Sequence, residues 1–265
     1  DGLPMNSLMV YTNGIISLVS LGMALLKKRS LKATPIQFIQ SVLMGTVGML
    51  ITAVLLNPAY LYLPVGMAIM LNFLYPSVVC IVMGTVFKQG FTKLQLGAIV
   101  CSIAGMIFLA GKGGDVNTLG IVCALVSAFT YGGYLIANEK GPANDLPIET
   151  KLFYVSLPGT VLFGILAPLT GTLAAPAQPS GWLYVLASGL FTVGGYFLMM
   201  YGISLLGAST SAFVSMLEPI VSVAFSTIWF GDPVTVGVAV GGLLVLSSIL
   251  LIAIDGSKKA KAAGE

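Results

Sequence analysis

The chain has 265 residues, of which 57% are hydrophobic and only 8% charged, with a mean hydropathy of +1.01. A soluble domain carries about a quarter charged residues, so this composition excludes that class and indicates a polytopic membrane protein. The chain has no histidine, which excludes histidine-based metal sites, triads and proton relays. The net charge of +3 carries no nucleic-acid signal, because the basic residues fall beside apolar stretches.

A membrane-spanning helix needs about 17–25 mostly apolar residues. In chain order, nine stretches meet that length: 5–26, 37–57, 62–86, 94–111, 118–138, 151–172, 182–204, 208–230 and 234–254. The connections are short and rich in turn formers, namely Asn57-Pro58, Gly113-Gly114, Gly141-Pro142 and Gly231-Asp232-Pro233. The end, 257–265, reads as a charged cytoplasmic tail. Cys80, Cys101 and Cys123 lie in apolar stretches without metal or disulfide spacing and read as small hydrophobic fillers.

Orientation follows from the distribution of Lys and Arg. With the loop after the first span inside, Lys27, Lys28, Arg29, Lys32, Lys88, Lys93, Lys140, Lys151, Lys258, Lys259 and Lys261 are cytoplasmic. Of the 12 basic residues only Lys112 is then outside. The C-terminus is therefore expected in the cytoplasm and, with nine spans, the N-terminus outside.

A shift of 143 places Pro64–Gly111 on Gly207–Ile254. It carries Tyr75-Pro76 onto Glu218-Pro219 and Thr92 onto Thr235. The first half, 1–114, has four spans and the second, 115–256, has five. Two copies of a five-helix unit must insert in opposite senses, the inverted-repeat plan of secondary transporters. On this plan the counterpart of 118–138 is absent and the chain begins after it. The alternative is a nine-helix protein with an external N-terminus.

Glu218 is the one formally charged residue read inside an apolar stretch, and intramembrane acids mark ion or substrate pathways. Helical spacing aligns Ser211, Ser215, Glu218 and Ser222 on one face. The shifted positions are Ala68, Asn72, Tyr75 and Val79. Ser127, Tyr131, Tyr134 and Asn138 form a further stripe, and Tyr196, Met200 and Thr192 share a face. Backbone groups are satisfied within membrane helices, so these stripes line a polar cavity or glue helices together. Pro76 and Pro219 read as mid-helix kinks, each removing one hydrogen bond and suiting a hinge. Gly237 and Gly241 read as helix packing. Tyr60, Tyr62, Trp182 and Tyr184 read as interface-belt residues, Asp232 and Asp255 as loop residues, and Asn138-Glu139-Lys140 as a solvated helix end. The glycines around Lys112 lack phosphate-loop spacing.

The runs Gly207-Ala208-Ser209, Leu217-Glu218-Pro219 and Gly231-Asp232, with Asn72-Phe73-Leu74-Tyr75-Pro76 in the first half, resemble the drug/metabolite transporter superfamily, EamA type, over nearly the whole chain. Three positions depart from that pattern: Asn72 where His is frequent, Asp232 where Glu is usual, and Gln89-Gly90 where the first repeat usually carries Glu. The resemblance implies ten helices in two inverted five-helix repeats in the bacterial inner membrane. It also implies export of an amino acid or related metabolite by alternating access.

The expected binding residues are Asn72, Tyr75, Tyr131, Tyr134, Tyr196, Ser215 and Glu218. The partners are a small-molecule substrate, a proton through Glu218, and the lipid bilayer. No cofactor, metal or nucleic acid is expected. Competing readings are a multidrug or quaternary-amine efflux transporter, a lipid-acting membrane enzyme and a structural subunit. With no histidine and one intramembrane acid, the enzyme reading lacks a nucleophile–base pair.

Overall fold

A computed structural model describes residues 3–63, 65–109, 117–230 and 235–263. Among these residues every regular element is helical. The elements are α1 (Met5–Leu26), α2 (Pro35–Leu43), a π-helical stretch (Met44–Ile51), α3 (Thr52–Tyr62), α4 (Val65–Asn72), α5 (Tyr75–Thr85), α6 (Lys93–Leu109) and α7 (Thr118–Lys140). A short 3-10 turn (Pro142–Asp145) leads into α8 (Ile148–Leu169), α9 (Pro179–Val214), α10 (Leu217–Phe230) and α11 (Val236–Ala263).

Six described helical runs are long and apolar enough to cross a membrane: Asn6–Leu26, Pro35–Tyr62, Thr118–Lys140, Ile148–Leu169, Pro179–Val214 and Ala239–Gly256. The chain is an all-helical polytopic membrane protein. Two of the nine expected spans are discontinuous. The stretch 62–86 forms α4 and α5, separated by Phe73 and Leu74, and 208–230 forms the end of α9 and then α10, separated by Ser215 and Met216. The apolar sequence is continuous across both breaks, so length and hydropathy could not reveal them.

Local sequence sets several helix ends. Thr34 and Gln37 form a reciprocal capping box at the start of α2, whose first residue is Pro35. Pro at that position loses no bond, since its N–H would be unpaired anyway. Thr92 and Gln95 make the same pair before α6. Gly207 takes φ 81°, ψ 164° inside α9, a conformation that side chains with a Cβ rarely adopt, and so divides that long helix.

The offset of 143 reappears in the element bounds. It carries Met5–Leu26 onto Ile148–Leu169, the bounds of α8, and Lys93, the start of α6, onto Val236, the start of α11. The two helix breaks correspond within one residue.

Residue contacts divide the chain into two compact units, and each draws on both sequence halves. One comprises Asp1–Leu50 and Ala137–Leu205, the other Ile51–Ile136 and Leu206–Glu265. In the first unit α1 packs along α8; in the second, α6 packs along α11. Each is a pair of offset-related helices. In the second pair a Cβ on Gly105 would lie 2.9 Å from the Gly241 carbonyl oxygen, so Gly241 sits at a close backbone approach. Gly237 likewise faces the Phe108 carbonyl. Lys112 and Gly231-Asp232-Pro233, together with the side chain of Ser222, lie outside the described residues. Asp255 lies within α11 and is buried, not in a loop.

In the first unit the π-helical stretch passes α8 so closely that a Cβ on Gly45 would lie 2.0 Å from the Val155 carbonyl oxygen. Backbone atoms cannot swing aside as a flexible side chain can. Gly45→Ala is therefore expected to cost about 1–3 kcal/mol through overpacking. Gly14→Ala, with nothing within 4 Å of the added Cβ, should be neutral or stabilising by up to about 1 kcal/mol in a helix. Thermal unfolding of the purified protein compares the two.

Candidate functional site

Ser215, Tyr75, Tyr131 and Tyr134 contact one another in series beside the two helix breaks of the second unit, where Asn72 and Glu218 also stand. At the first break the Phe73 and Leu74 amides donate to the carbonyls of Ile69 (2.8 Å) and Leu71 (3.3 Å). At the second, Met216 donates to Phe213 (3.1 Å) and Glu218 to Ser215 (3.0 Å). Both turns tighten towards 3-10 geometry. Pro76 and Pro219 therefore stand in the first turn of a new helix, α5 and α10, and not in the middle of a kinked one. The Ser215 carbonyl, which a regular helix would offer to residue 219, accepts from the Glu218 amide instead. Proline here costs no bond.

Side chains tie the breaks together. The Tyr75 hydroxyl and the Ser215 hydroxyl are hydrogen-bonded. Ser215 Oγ also donates to the Ala212 carbonyl at 2.7 Å, which uses its only proton, so Tyr75 is the donor to Ser215. At the first break, Asn72 Nδ2, on the last residue of α4, donates to Ser127 Oγ at 2.9 Å, and Ser127 donates to the Ala124 carbonyl at 2.6 Å. Thus α4, α5, α7, α9 and the break after α9 each contribute a group to this cluster. Ser211, one turn before Ser215, is buried with its hydroxyl unbonded.

Aromatic rings wall one side. Tyr75 meets Tyr131 edge-to-face with centroids 4.8 Å apart, and Tyr131 stacks on Tyr134 at 5.7 Å. Such pairs add stability beyond the area they bury. Tyr75 and Tyr134 are buried, while Tyr131, Asn72 and Ser215 are half-buried.

Glu218 is exposed. It occupies the first turn of α10, where the helix macrodipole complements a negative charge. Tyr60 and Tyr75 both lie within its electrostatic reach. The sequence reading placed Tyr60 in an interface belt, and only the fold shows it near the acid. Tyr196 belongs to the first unit, where it is half-buried.

Glu218 is also not the only acid or base within an apolar helix. Glu149 and Lys151, in the first turn of α8, are 4% and 2% exposed. Glu149 accepts from Lys27 at 2.8 Å, with Arg29 4.0 Å away, and Thr150 donates to the Ser30 carbonyl. The connection after α1 thus covers the start of α8. The sequence showed these charges at the edge of an apolar stretch, but nothing in it indicated that a distant loop folds over them. Asn138, read as a solvated end, is 1% exposed, and only its neighbours Glu139 and Lys140 pair at the surface.

The chain matches the EamA-like transporter family over residues 1–111 and 118–254. It belongs to that family. Members are named as transporters, not enzymes, and the chain is a multi-pass protein of the cell inner membrane. A transporter of Synechocystis sp. is 27% identical over 213 residues, covering 77% of this chain and 63% of that protein. The match thus spans less than two thirds of that relative's length. A Streptantibioticus cattleyicolor protein named as a probable terminal-alkyne amino-acid exporter is 26% identical over 216 residues, covering 79% of this chain and 71% of its own. A crystal structure aligns with TM-score 0.78 over 97% of this chain and 90% of the other, at 16% identity, a likeness of fold.

The Asn72–Ser127 bond links α4 to α7 and is testable by a double-mutant cycle. Asn72→Ala and Ser127→Ala should show a coupling of about 0.5–1.5 kcal/mol in thermal unfolding, the net worth of a neutral hydrogen bond. Strictly additive effects would contradict the contact.

Proposed function

We propose that the chain is a secondary transporter that moves a small polar or amphipathic metabolite across the inner membrane by alternating access, with an amino acid or amine as substrate and export as the direction. The observation that carries this reading is the pair of helix breaks joined by the Tyr75–Ser215 hydrogen bond, with Glu218 three residues further on. Discontinuous helices in membrane proteins mark binding sites, because their freed backbone groups and half-helix dipoles can serve a solute. Asn72, Tyr75, Tyr131, Ser215 and Glu218 would contact it, and Tyr134 would back Tyr131. Tyr75 and Tyr134 are buried, so their exposure to a solute requires the unit to open.

The matched offset of the breaks supports two inverted repeats, with the C-terminus cytoplasmic. Pro76 and Pro219, each rigid at the start of a helix, would let α5 and α10 swing about the preceding turns. Glu218 would recognise an ammonium group or carry a proton, since an intramembrane acid is retained for function. The name of the S. cattleyicolor relative supports an amino acid as the substrate class.

A second reading, efflux of a quaternary amine, rests on the run of Tyr75, Tyr131 and Tyr134 rings, of which Tyr75 lies within electrostatic reach of the acid. Such rings attract a cation through their faces.

Transport assays in proteoliposomes, with amino acids and quaternary amines as solutes, test both. Glu218→Gln is expected to lower the initial rate at least about tenfold and to flatten its pH dependence, as loss of an essential charged contact would. Unchanged rate and pH profile would remove Glu218 from the mechanism. Activity confined to quaternary amines would select the second reading.

A further inference from the structure

Among the described residues only two that are not glycine have a positive φ, and both are lysines: Lys28 at 51° and Lys88 at 54°. Both are exposed, and they follow the ends of α1 and α5. A side chain with a Cβ is strained in this left-handed region, and glycine is the usual residue there.

The repeat contains the same cap with glycine in place. At the end of α1 the amides of Lys27, Lys28 and Arg29 donate to the carbonyls of Met23, Leu25 and Ala24. At the end of α8 the amides of Thr170, Gly171 and Thr172 donate to the carbonyls of Leu166, Pro168 and Ala167. Each group lies 143 residues from its counterpart. Gly171, at φ 64°, holds the position of Lys28. The residue 143 after Lys88 is Gly231, which lies outside the described residues.

The general uses of a basic residue do not require the strained position. A cation at the C-terminus of α1 complements the helix dipole, but Lys27 already caps that helix. Basic loop residues orient a membrane chain, but Lys27, Arg29 and Lys32 supply that charge without a left-handed backbone. Strain retained where glycine would fit points to a functional constraint. The surroundings indicate its chemistry. Leu26 is 86% exposed and Val86 67%, apolar surface that belongs in hydrocarbon. Each lysine follows two residues later, where hydrocarbon gives way to headgroups. Among the described residues no ion pair engages Lys28, Lys32 or Lys88.

We infer that Lys28, with Lys32, and separately Lys88 are contact points for the phosphate of an anionic phospholipid. Basic residues beside a membrane span attract such headgroups. On the inverted-repeat reading proposed above, mated positions fall on opposite faces, so the lysines meet the cytoplasmic leaflet. The leaflet rests on that reading, whereas the contact does not.

The test uses the full chain in nanodiscs of phosphatidylcholine with increasing phosphatidylglycerol, which enters both leaflets and makes the result independent of sidedness. The Tm of the wild type is expected to rise with the anionic fraction, as for any ligand of the folded state. A double variant, Lys28→Gly with Lys88→Gly, should lose at least about half of that rise. In phosphatidylcholine alone it should melt no lower than the wild type, because glycine relieves the strain. Lys140→Gln removes the same charge from a residue already paired with Glu139 at 2.7 Å and should keep the rise. The inference would be overturned by no rise in the wild type or an equal rise in the double variant. It would be overturned equally by a lower Tm of the double variant in phosphatidylcholine, or by the same loss with Lys140→Gln, which would mean net charge alone. Should the double variant fail to fold, amine modification of the wild type read by mass spectrometry decides. Phosphatidylglycerol should slow modification of Lys28 and Lys88 at least about threefold more than that of Lys140, and equal protection of all three would overturn the contacts.

Discussion

A helix that stops within a bilayer leaves amide and carbonyl groups with no water to receive them. The second unit contains two such stops, after Asn72 and after Val214, and much of its polar chemistry follows from how they are satisfied. Tightened turns at Phe73–Leu74 and Ser215–Met216 take up several backbone groups locally. Tyr75 then bonds Ser215 across the two breaks, and Asn72 anchors the first of them to Ser127 on α7. The same arrangement presents hydroxyl, carboxamide and carboxylate groups together. A polar cluster built on broken helices is costly in hydrocarbon, and this cost is why we propose the cluster as part of a solute pathway.

The two units solve the same packing problem with equivalent helices. The α1–α8 pair in one and the α6–α11 pair in the other are each related by 143 residues. The close approach at Gly105 and Gly241 permits backbone-to-backbone contact where lipid offers no hydrophobic drive for association. Polar contacts add to this in the first unit. Ser17 pairs with both Ser156 and Thr160 between α1 and α8, at 2.7 and 2.8 Å.

Class, family and repeat spacing were legible because they rest on composition, run length and self-similarity. The correspondence of Ser215–Glu218 with Asn72–Tyr75 was legible from the offset of 143, but each pair straddles a break, so regular helical spacing does not join its members. The breaks were not, since apolar residues run straight through them and Pro76 and Pro219 read equally as kinks. The burial of Glu149, Lys151 and Asn138 was hidden for a different reason. It depends on the 27–34 connection and on α2 folding over helix ends that are far away in sequence. Tyr196 shows the reverse: its helical face looked like that of Tyr131, yet the fold assigns it to the other unit.

Water access to the cluster is the most direct measure of this account. Ser215→Cys and Tyr131→Cys, made in a chain with Cys80, Cys101 and Cys123 replaced by Ala, can be labelled in sealed vesicles with a membrane-impermeant thiol reagent. The account predicts that both cysteines react and that a transported solute slows the reaction. Reaction with a lipid-soluble maleimide only, under every condition, would mean that the cluster is helix glue and that no solute passes it.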